Sequence, residues 1–420
     1  MTITVENINY QLDIDNKTAV VISYQDKLVD VIIPEYVEYE NEKYKVTSIG
    51  RSAFYGCHSL KSVTIPDSVT KIGEWAFYNC HCLQSITIPD SVTEIGDLAF
   101  YYCDNLKSIT IPNGVTSIGN NVFENCQSLT SISLSNSVTK LVPFMFYRCG
   151  LESITIPDSV TSIGSYVFKH CPFKEIRIPK NCSEFYNCAF DTKMKVIIDE
   201  NNPYYFSYQD FIFKFIDNEN ICLFKYQGND SEVQIPEIVN YKGKEYKVIF
   251  IGVSVFSECK TLTSITIPDS VAYIGFSAFE NCERLKSVNI GKRVNQISKD
   301  AFHKIGLTIT KRYTEDGRLI AYKAFNADMT CRDFQYEEGK TFEFEGGIKL
   351  CSRGFHACIN PLHIFSYYGG KIGKDIVIHE VYLSGEIDED NDYDSKVCAS
   401  KIEIGKRLTM NDINEIINNK

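Results

Sequence analysis

The sequence of 420 residues predicts a solenoid of short parallel strands and brief helical turns, followed by a small α+β domain. The first observation is a segment of about 23 residues that recurs along most of the chain. The second is an alternation of apolar and polar residues in each copy, which predicts a short strand with one buried face. The third is the loss of this period near Arg312, where a different pattern of elements begins.

Several residue types keep the same register through the repeat. One position, 22 or 23 residues from copy to copy, holds Pro66, Pro89, Pro112, Ser135, Pro157 and Pro179. A second holds Phe54, Phe77, Phe100, Phe123, Phe146 and Phe168. A third holds Cys57, Cys80, Cys103, Cys126, Cys149 and Cys171. Because one copy cannot bury its own apolar edge, the copies must stack on one another.

Each part of the repeat predicts an element. Ile-Thr-Ile alternates with period two and predicts a strand, while the Pro-Asp-Ser that follows favours a turn. Ala-Phe-x-x-Cys suits a brief helical turn with its apolar side chains pointing inward. In a stack, the strands of successive copies pair in parallel at about 4.8 Å.

The repeat resembles the BspA-like class of leucine-rich-repeat proteins over about three quarters of the chain. The resemblance implies a right-handed leucine-rich-repeat solenoid that is used for binding. It also implies a place among surface proteins, commonly of bacteria and in some cases of protists.

The period divides the chain into five predicted regions. Residues 1–49 read as a β-rich cap, 50–203 as a first solenoid block and 251–311 as a second block. Between the blocks, residues 204–250 resemble the opening of the chain, since Pro236-Glu237 and Tyr246-Lys247 match Pro34-Glu35 and Tyr44-Lys45. This segment reads as a cap-like β-hairpin unit inserted in the stack. Residues 312–420 form the small α+β domain.

The chain contains 16 cysteines, nine of which occupy Phe-x-x-Cys steps of the repeat. Neighbouring cysteines of the column would lie one strand spacing apart with parallel side-chain directions, which is poor geometry for a disulfide. The pattern therefore predicts a buried, reduced column of thiols. Cys80-x-Cys82 has no second pair elsewhere and does not predict a zinc site.

Composition excludes several classes of function. A formal net charge of −11 argues against binding to nucleic acid or to an anionic membrane. No apolar run approaches the roughly 20 residues of a membrane span. The first residues lack a basic region followed by an apolar core, so the sequence as written predicts a cytoplasmic protein. The family resemblance implies instead a surface or exported location.

Two columns of side chains flank the buried phenylalanines and are expected to face solvent. They carry the candidate ligand-binding residues Tyr55, Trp75, Tyr78, Leu98, Tyr101, Phe144, Tyr147 and Tyr166, together with Asn121 and Glu124. Aromatic side chains are frequent anchors of interfaces, which predicts a ridge that binds a protein or a glycan. The alternative is that they only pack against neighbouring turns. The regular Ser and Thr side chains of the strand face are a second possible surface.

The C-terminal region resembles an uncharacterised domain of bacterial and phage proteins. The motif residues that carry the resemblance include Tyr322, Lys323, Gly354, His356 and Cys358. The sequence predicts strands at 319–325 and 375–383, an acidic solvated loop at 386–394, and helices at 362–368 and 409–417. Asn360-Pro361 is a favourable start for the first of these helices.

Three chemical interpretations of this domain compete with a purely structural or binding role. Cys351, His356, Cys358 and His363 match no standard zinc spacing, so no metal site is predicted. Cys358 with His356 lacks an evident third group for nucleophilic catalysis. A distant resemblance to the ADP-ribosyltransferase fold implies NAD as cofactor. By this resemblance Lys323 would bind NAD, Tyr367 or Tyr368 would contact the nicotinamide, and Glu380 or Glu386 would orient the ribose.

The sequence favours a non-enzymatic recognition protein that acts, for example, in adhesion and binds no cofactor. The second hypothesis is an effector whose terminal domain is an ADP-ribosyltransferase-like enzyme directed by the solenoid. The pattern names neither the ligand nor the oligomeric state.

Overall fold

Most repeats contribute two short strands, and these strands pair in parallel with their counterparts in neighbouring repeats. The computed structural model describes residues 1–25, 27–191, 194–350, 352, 354–389 and 395–418. The chain divides into two compact units, residues 1–206 and 207–420.

The first unit consists of strands and turns. Its strands are β1 Thr2–Val5, β2 Ile8–Asp13, β3 Thr18–Tyr24, β4 Asp30–Ile32, β5 Tyr36–Tyr39, β6 Glu42–Ile49, β7 Ser62–Thr64, β8 Lys71–Ile72, β9 Ser85–Thr87, β10 Glu94–Ile95, β11 Ser108–Ile111, β12 Ser117–Ile118, β13 Ser131–Leu134, β14 Lys140–Leu141, β15 Ser162–Ile163, β16 Glu175–Ile178, β17 Glu184–Phe185 and β18 Lys195–Ile198. A 3₁₀ helix spans Asn187–Ala189. Elsewhere the predicted brief helical turns are single hydrogen-bonded turns, as where the Cys80 amide donates to the Phe77 carbonyl at 3.2 Å.

The N-terminal strands lead directly into the solenoid. Strands β1, β2 and β3 form an antiparallel meander, and β5 and β6 form a hairpin. Strand β6 pairs in parallel with β3 on one side and with β8 on the other, through Ser48 and Lys71. The meander therefore covers the first edge of the parallel ladder, where unpaired backbone groups would otherwise remain.

Two parallel ladders and a column of phenylalanines hold the repeats together. The ladder of β8, β10 and β12 lies on one side of the repeat, and the ladder of β4, β7 and β9 on another. Between them the buried rings stack, with centroids 5.2 Å apart for Phe54 and Phe77 and 5.3 Å for Phe77 and Phe100. This arrangement confirms the predicted solenoid of short parallel strands.

The cysteine column has a hydrogen-bonding role. The thiol of Cys103 donates to the carbonyl of Phe77 in the preceding repeat at 3.2 Å, and Cys126 donates to Phe100 at 3.1 Å. Burial raises the pKa of both thiols well above the ordinary value. The described cysteines form no disulfide with one another, and the reduced state of the column stays a prediction; Cys351 lies outside the described residues.

The second unit holds the remaining strands and two short helices. The strands are β19 Tyr205–Tyr208, which begins within the first unit, β20 Phe211–Phe215, β21 Asn220–Tyr226, β22 Glu232–Gln234, β23 Ile238–Tyr241, β24 Lys244–Ile251, β25 Ser264–Thr266, β26 Tyr273–Ile274, β27 Ser287–Asn289, β28 Gln296–Ile297, β29 Arg312–Tyr313, β30 Leu319–Asn326, β31 Thr330–Cys331, β32 Phe334–Gln335, β33 Thr341–Glu343, β34 Phe355–Cys358, β35 Gly370–Lys371, β36 Ile376–Glu389 and β37 Lys396–Leu408. A 3₁₀ helix spans Pro361–Ser366, and α1 spans Met410–Asn418.

The opening of the second unit repeats the arrangement of the N-terminus. Strands β20 and β21 are antiparallel, β21 pairs in parallel with β24, and β23 and β24 form a hairpin. In that hairpin Val239 faces Tyr246, as Val37 faces Tyr44 in the first unit. Strands β24, β26 and β28 then continue as a parallel ladder.

The C-terminal domain is built on an antiparallel sheet. Its order is β29, β30, β34, β37 and β33, with β36 pairing with β30 and β37. Asn360 caps the 3₁₀ helix, since its side chain accepts from the Leu362 amide at 3.0 Å. The loop predicted at 386–394 is wrong in its first part, because β36 extends to Glu389; residues 390–394 lie outside the described residues.

The same domain covers the last repeat of the second unit at three places. Strand β35 pairs with β28, and the amide of Asp300 donates to the Phe365 carbonyl at 2.7 Å. The amide of Ile290 donates to the Asn414 side chain of α1 at 2.9 Å. In the preceding repeat, Ile267 at the equivalent position donates to the Asn289 carbonyl of the next repeat at 2.8 Å. The domain thus supplies the acceptors that one more repeat would supply.

Candidate functional site

The first predicted column lies at a backbone position with positive φ. The φ angles are 57° for Trp75, 54° for Leu98, 58° for Asn121, 57° for Phe144 and 59° for Tyr166. This left-handed region costs an L-residue roughly 1–2 kcal/mol unless the residue is Gly, Asn or Asp. Four large side chains therefore occupy a position where the backbone favours small ones.

The second unit uses small residues at the same position of its repeats. Ser254, Ser277 and Asp300 have φ angles of 54°, 53° and 58°. The backbone of the repeat thus requires the left-handed conformation in both units, whatever the side chain. The large side chains of the first unit need a reason other than the fold.

The aromatic side chains of the two columns stack in short runs and keep part of their surface exposed. Tyr55, Tyr78 and Tyr101 stack with successive centroids 4.9 Å apart. Phe144 stacks on Tyr166 at 4.9 Å. Tyr55 is 50% exposed and Tyr166 36% exposed, and the others are half-buried. Packing against neighbours and exposure therefore occur in the same side chains.

Further contacts order the ridge. The Arg51 guanidinium lies 4.4 Å from the centre of the Trp75 ring, and Phe144 meets the edge of Tyr147 at 5.6 Å. Glu124 interrupts the tyrosine column and accepts a hydrogen bond from Asn121. We call the eight candidate residues of these columns the aromatic ridge: Tyr55, Trp75, Tyr78, Leu98, Tyr101, Phe144, Tyr147 and Tyr166.

The C-terminal motif residues converge on a cavity of about 310 Å³. The cavity opens where β30 and β34 separate, since they form a single described pair at Tyr322 and Cys358. Its lining includes Tyr322, Lys323, Gly354, His356, Cys358, Tyr367 and Tyr368. Gly354 has a φ of 99°, and a Cβ there would lie 2.6 Å from the Cys398 sulfur. Only glycine satisfies both constraints.

Lys323 is the buried cation of this cavity. Its side chain is 7% exposed, and Nζ donates to the His356 carbonyl at 2.9 Å. Burial lowers the pKa of the ammonium group. The centres of the Phe325 and Tyr336 rings lie 5.5 and 5.7 Å from Nζ.

The structure does not bring the whole NAD-binding set together. Tyr322 and Glu380 are directly paired on adjacent strands and share one face of the sheet, so Lys323 projects from the opposite face. The Glu380 carboxylate lies 3.8 Å from the Arg312 guanidinium, outside the cavity lining. Glu386 is exposed, and its amide donates to the Ser400 hydroxyl at 2.9 Å.

The described residues contain no cluster of three His, Cys, Asp or Glu side chains that could hold a metal ion. Cys351 lies outside them. His363 is buried beside the capping residue, with its Nδ1 3.0 Å from the Ser395 hydroxyl and its Nε2 3.3 Å from the Asn360 amide nitrogen. These contacts give His363 a structural role.

Comparison with family models identifies the repeat. A model described as the BspA type leucine-rich repeat region matches residues 35–149, 120–229 and 244–342, more than half of the chain. The chain belongs to this family. Residues 319–416 of this BspA-type protein match a model described as a domain of unknown function, DUF7666. A search of curated proteins found no match.

Solved structures similar to this BspA-type protein are bacterial leucine-rich-repeat proteins. A leucine-rich cell surface protein of Faecalibacterium prausnitzii is 29% identical, with 72% of this chain and 86% of that chain covered and a TM-score of 0.57. A leucine-rich-repeat protein of Bacteroides ovatus is 27% identical, with 72% and 92% covered and a TM-score of 0.38. The pneumococcal vaccine antigen PcpA is 20% identical, with 73% and 75% covered and a TM-score of 0.47.

Sequence patterns missed part of the cavity of this BspA-type protein. Arg332, Tyr336 and Lys396 line it but lie in no motif, because the fold brings them together from separate strands and turns. The alternating pattern of β30 could have shown that Lys323 shares a face with Phe325. Among the described residues, the longest helices fall short of a membrane span in length and apolar character.

Proposed function

We propose that the protein is a recognition protein that binds a protein partner through the aromatic ridge, in a surface-exposed or adhesive role. The observation that carries the proposal is the left-handed backbone under Trp75, Leu98, Phe144 and Tyr166. Residues held in unfavourable backbone conformations cluster at functional sites, where the side chain contributes something that the fold alone does not need.

The chemistry of the ridge fits this role. Tyrosine and tryptophan offer a large apolar area with a polar tip and lose little conformational entropy on binding. Stacking of Tyr55, Tyr78 and Tyr101 holds these rings in one orientation before any partner arrives. Preorganisation of this kind lowers the entropic cost of association. The likeness to a cell surface protein of 29% identity supports a surface setting.

The test compares the full chain with a variant that carries Trp75→Asn, Leu98→Asn and Phe144→Asn. Asparagine already occupies this position at Asn121, where φ is 58°. The variant should therefore fold, and Leu98→Asn alone should raise the free energy of unfolding by about 0.5–1 kcal/mol. Urea unfolding of the first unit measures this change.

Binding is measured against biotinylated surface proteins of cultured epithelial cells, with an immobilised glycan array in parallel. We expect the triple variant to retain less than about a tenth of the captured protein. Ile238→Asn is the matched control, because Ile238 is 53% exposed and lies outside the ridge. Equal capture by the wild type and the triple variant contradicts the proposal, and binding to glycans alone contradicts the choice of a protein partner.

A further inference from the structure

The cavity of the C-terminal domain has the size and the chemistry of a ligand site. Its volume of about 310 Å³ lies at the lower end of the range of roughly 300–1,000 Å³ for small-molecule pockets. It lies in the second unit, whereas the aromatic ridge lies in the first. A ligand in this cavity would be an activity separate from recognition by the ridge.

The first requirement of the cavity is a negative charge. Lys323 is more than nine-tenths buried, and no carboxylate among the described residues forms an ion pair with it. Burial disfavours the charged form of this amine, and a bound anion would offset that cost. Arg332 and Lys396 add positive charge to the lining. The lining carboxylate, Glu343, lies 3.4 Å from the Lys401 ammonium.

The second requirement is a hydrogen-bond donor. Nε2 of His356 is buried and has no hydrogen-bond partner among the described residues. Burial and then the charges of Lys396, Lys323 and Arg332 lower the pKa of His356 to about 4, so the ring is neutral at pH 7. The unpartnered Nε2 of the neutral imidazole is an acceptor in one of the two ring tautomers, and that tautomer suits an N–H or O–H of a ligand.

The third requirement is a flat apolar surface. Phe334 and Tyr367 are 44% and 40% exposed at the cavity, and Tyr336 and Phe355 are buried in its wall. The Phe334 and Tyr336 rings lie 4.7 Å apart. Aromatic side chains that border a positively charged groove commonly stack on the bases of nucleic-acid ligands.

We propose that this cavity binds a nucleoside monophosphate. The phosphate lies beside Lys323 and Arg332, the base packs against the aromatic wall, and an N–H or O–H of the nucleoside donates to Nε2 of His356. A nucleotide combines the anion, the donor and the planar ring in one small molecule. No reaction is part of the proposal, because Glu380 and Glu386 do not line the cavity.

The test is isothermal titration calorimetry on the full chain at neutral pH with AMP, GMP, CMP and UMP. At least one nucleotide should bind with a Kd below about 1 mM. Inorganic phosphate and the matching nucleoside, titrated separately, should each bind at least about tenfold more weakly. Absence of binding by all four nucleotides overturns the proposal, and phosphate binding as tight as nucleotide binding overturns the role of the base.

Variants separate a ligand site from a structural role. Lys323→Met and His356→Phe should each weaken nucleotide binding by about tenfold or more. Lys323→Met removes a buried amine that has no carboxylate partner among the described residues. It should raise the Tm without ligand and lose the Tm increase caused by nucleotide. Lys340→Met is the control, because Lys340 is an exposed lysine of the same domain outside the cavity lining. Unchanged nucleotide affinity in Lys323→Met refutes the proposal.

Discussion

At the scale of single residues, the cysteine column shows how one side chain joins two repeats. Six thiols of the column donate to a carbonyl of the preceding repeat, as Cys149 does to Phe123 at 3.0 Å. A thiolate could not donate this bond and would be buried without a counter-charge. Burial accordingly raises the pKa of Cys171 to about 12, and it raises the pKa of Cys182, a buried cysteine outside the column, to about 11.

These shifts predict alkaline destabilisation of the first unit. The ordinary thiol pKa is 9.0, so above that pH the unfolded chain releases protons that the folded chain retains. The stability contributed by each raised thiol is therefore complete below about pH 9 and is lost as the pH rises toward the folded value. We expect a fall of up to about 1.4 kcal/mol per pH unit for each such thiol.

Urea unfolding of the first unit at about pH 7.5 and about pH 10 measures this effect. Cys171→Val removes one titrating group and serves as the matched variant. Its free energy of unfolding should fall less steeply with pH than that of the wild type. A free energy of unfolding that stays constant over this range is incompatible with buried, protonated thiols.

At the scale of elements, the backbones of successive repeats approach closely at turn glycines such as Gly73 and Gly96. A Cβ on Gly96 would lie 2.5 Å from the Glu74 amide nitrogen and 2.8 Å from the Gly73 carbonyl carbon. Both neighbours are backbone atoms of the preceding repeat, so neither can move aside cheaply.

Gly96→Ala should lower the free energy of unfolding of the first unit by at least about 1–3 kcal/mol. Gly347→Ala is the control, because a Cβ at Gly347 meets no atom within 4 Å and its φ is not positive. The control should change stability by less than about 0.5 kcal/mol. Chemical denaturation of both variants measures the difference, and equal stability would mean that the repeats separate more easily than the structure indicates.

The strands of the solenoid were predictable from sequence because several residue types mark each one. The apolar alternation, the turn residues and the phenylalanine column all indicate the same period, so the parallel ladders follow from stacking. The left-handed positions were not predictable. Trp75, Leu98 and Phe144 are residues that normally exclude this conformation, and only the aligned Asn121 and Ser277 hint at it.

The site residues of the C-terminal domain were likewise predictable only in part. Tyr322, Lys323, Gly354 and His356 were found as a motif, and they do line one cavity. Glu380 was grouped with them by a resemblance in strand order, but strand pairing places it beside Tyr322 on the face opposite Lys323. Its carboxylate lies 3.8 Å from the Arg312 guanidinium, outside the cavity lining. Pairing partners depend on the tertiary fold, which a linear motif does not contain.

At the scale of the whole molecule, repeat proteins need an end that satisfies the last repeat. In the second unit the C-terminal domain does this with β35, the Phe365 carbonyl and helix α1. Asn414 accepts from the Ile290 amide, and Asn418 donates to the Val288 carbonyl at 3.0 Å. The cavity and the end of the solenoid are therefore parts of one folded body, so a change at one is able to affect the stability of the other.

Asn414→Ala tests this coupling at one amide. Removal of the side-chain acceptor leaves the partly buried Ile290 N–H without its bond, which costs about 1–3 kcal/mol. Hydrogen exchange of the Ile290 amide should therefore speed up by about tenfold or more. The Ile267 amide is the internal control, because its acceptor is the Asn289 carbonyl of the following repeat.

Equal exchange of Ile290 in the variant and the wild type would show that α1 does not close the solenoid. Faster exchange at Ile290 with Ile267 unchanged would establish a local cap, whereas faster exchange at both would mean that the cap stabilises the ladder beyond the last repeat.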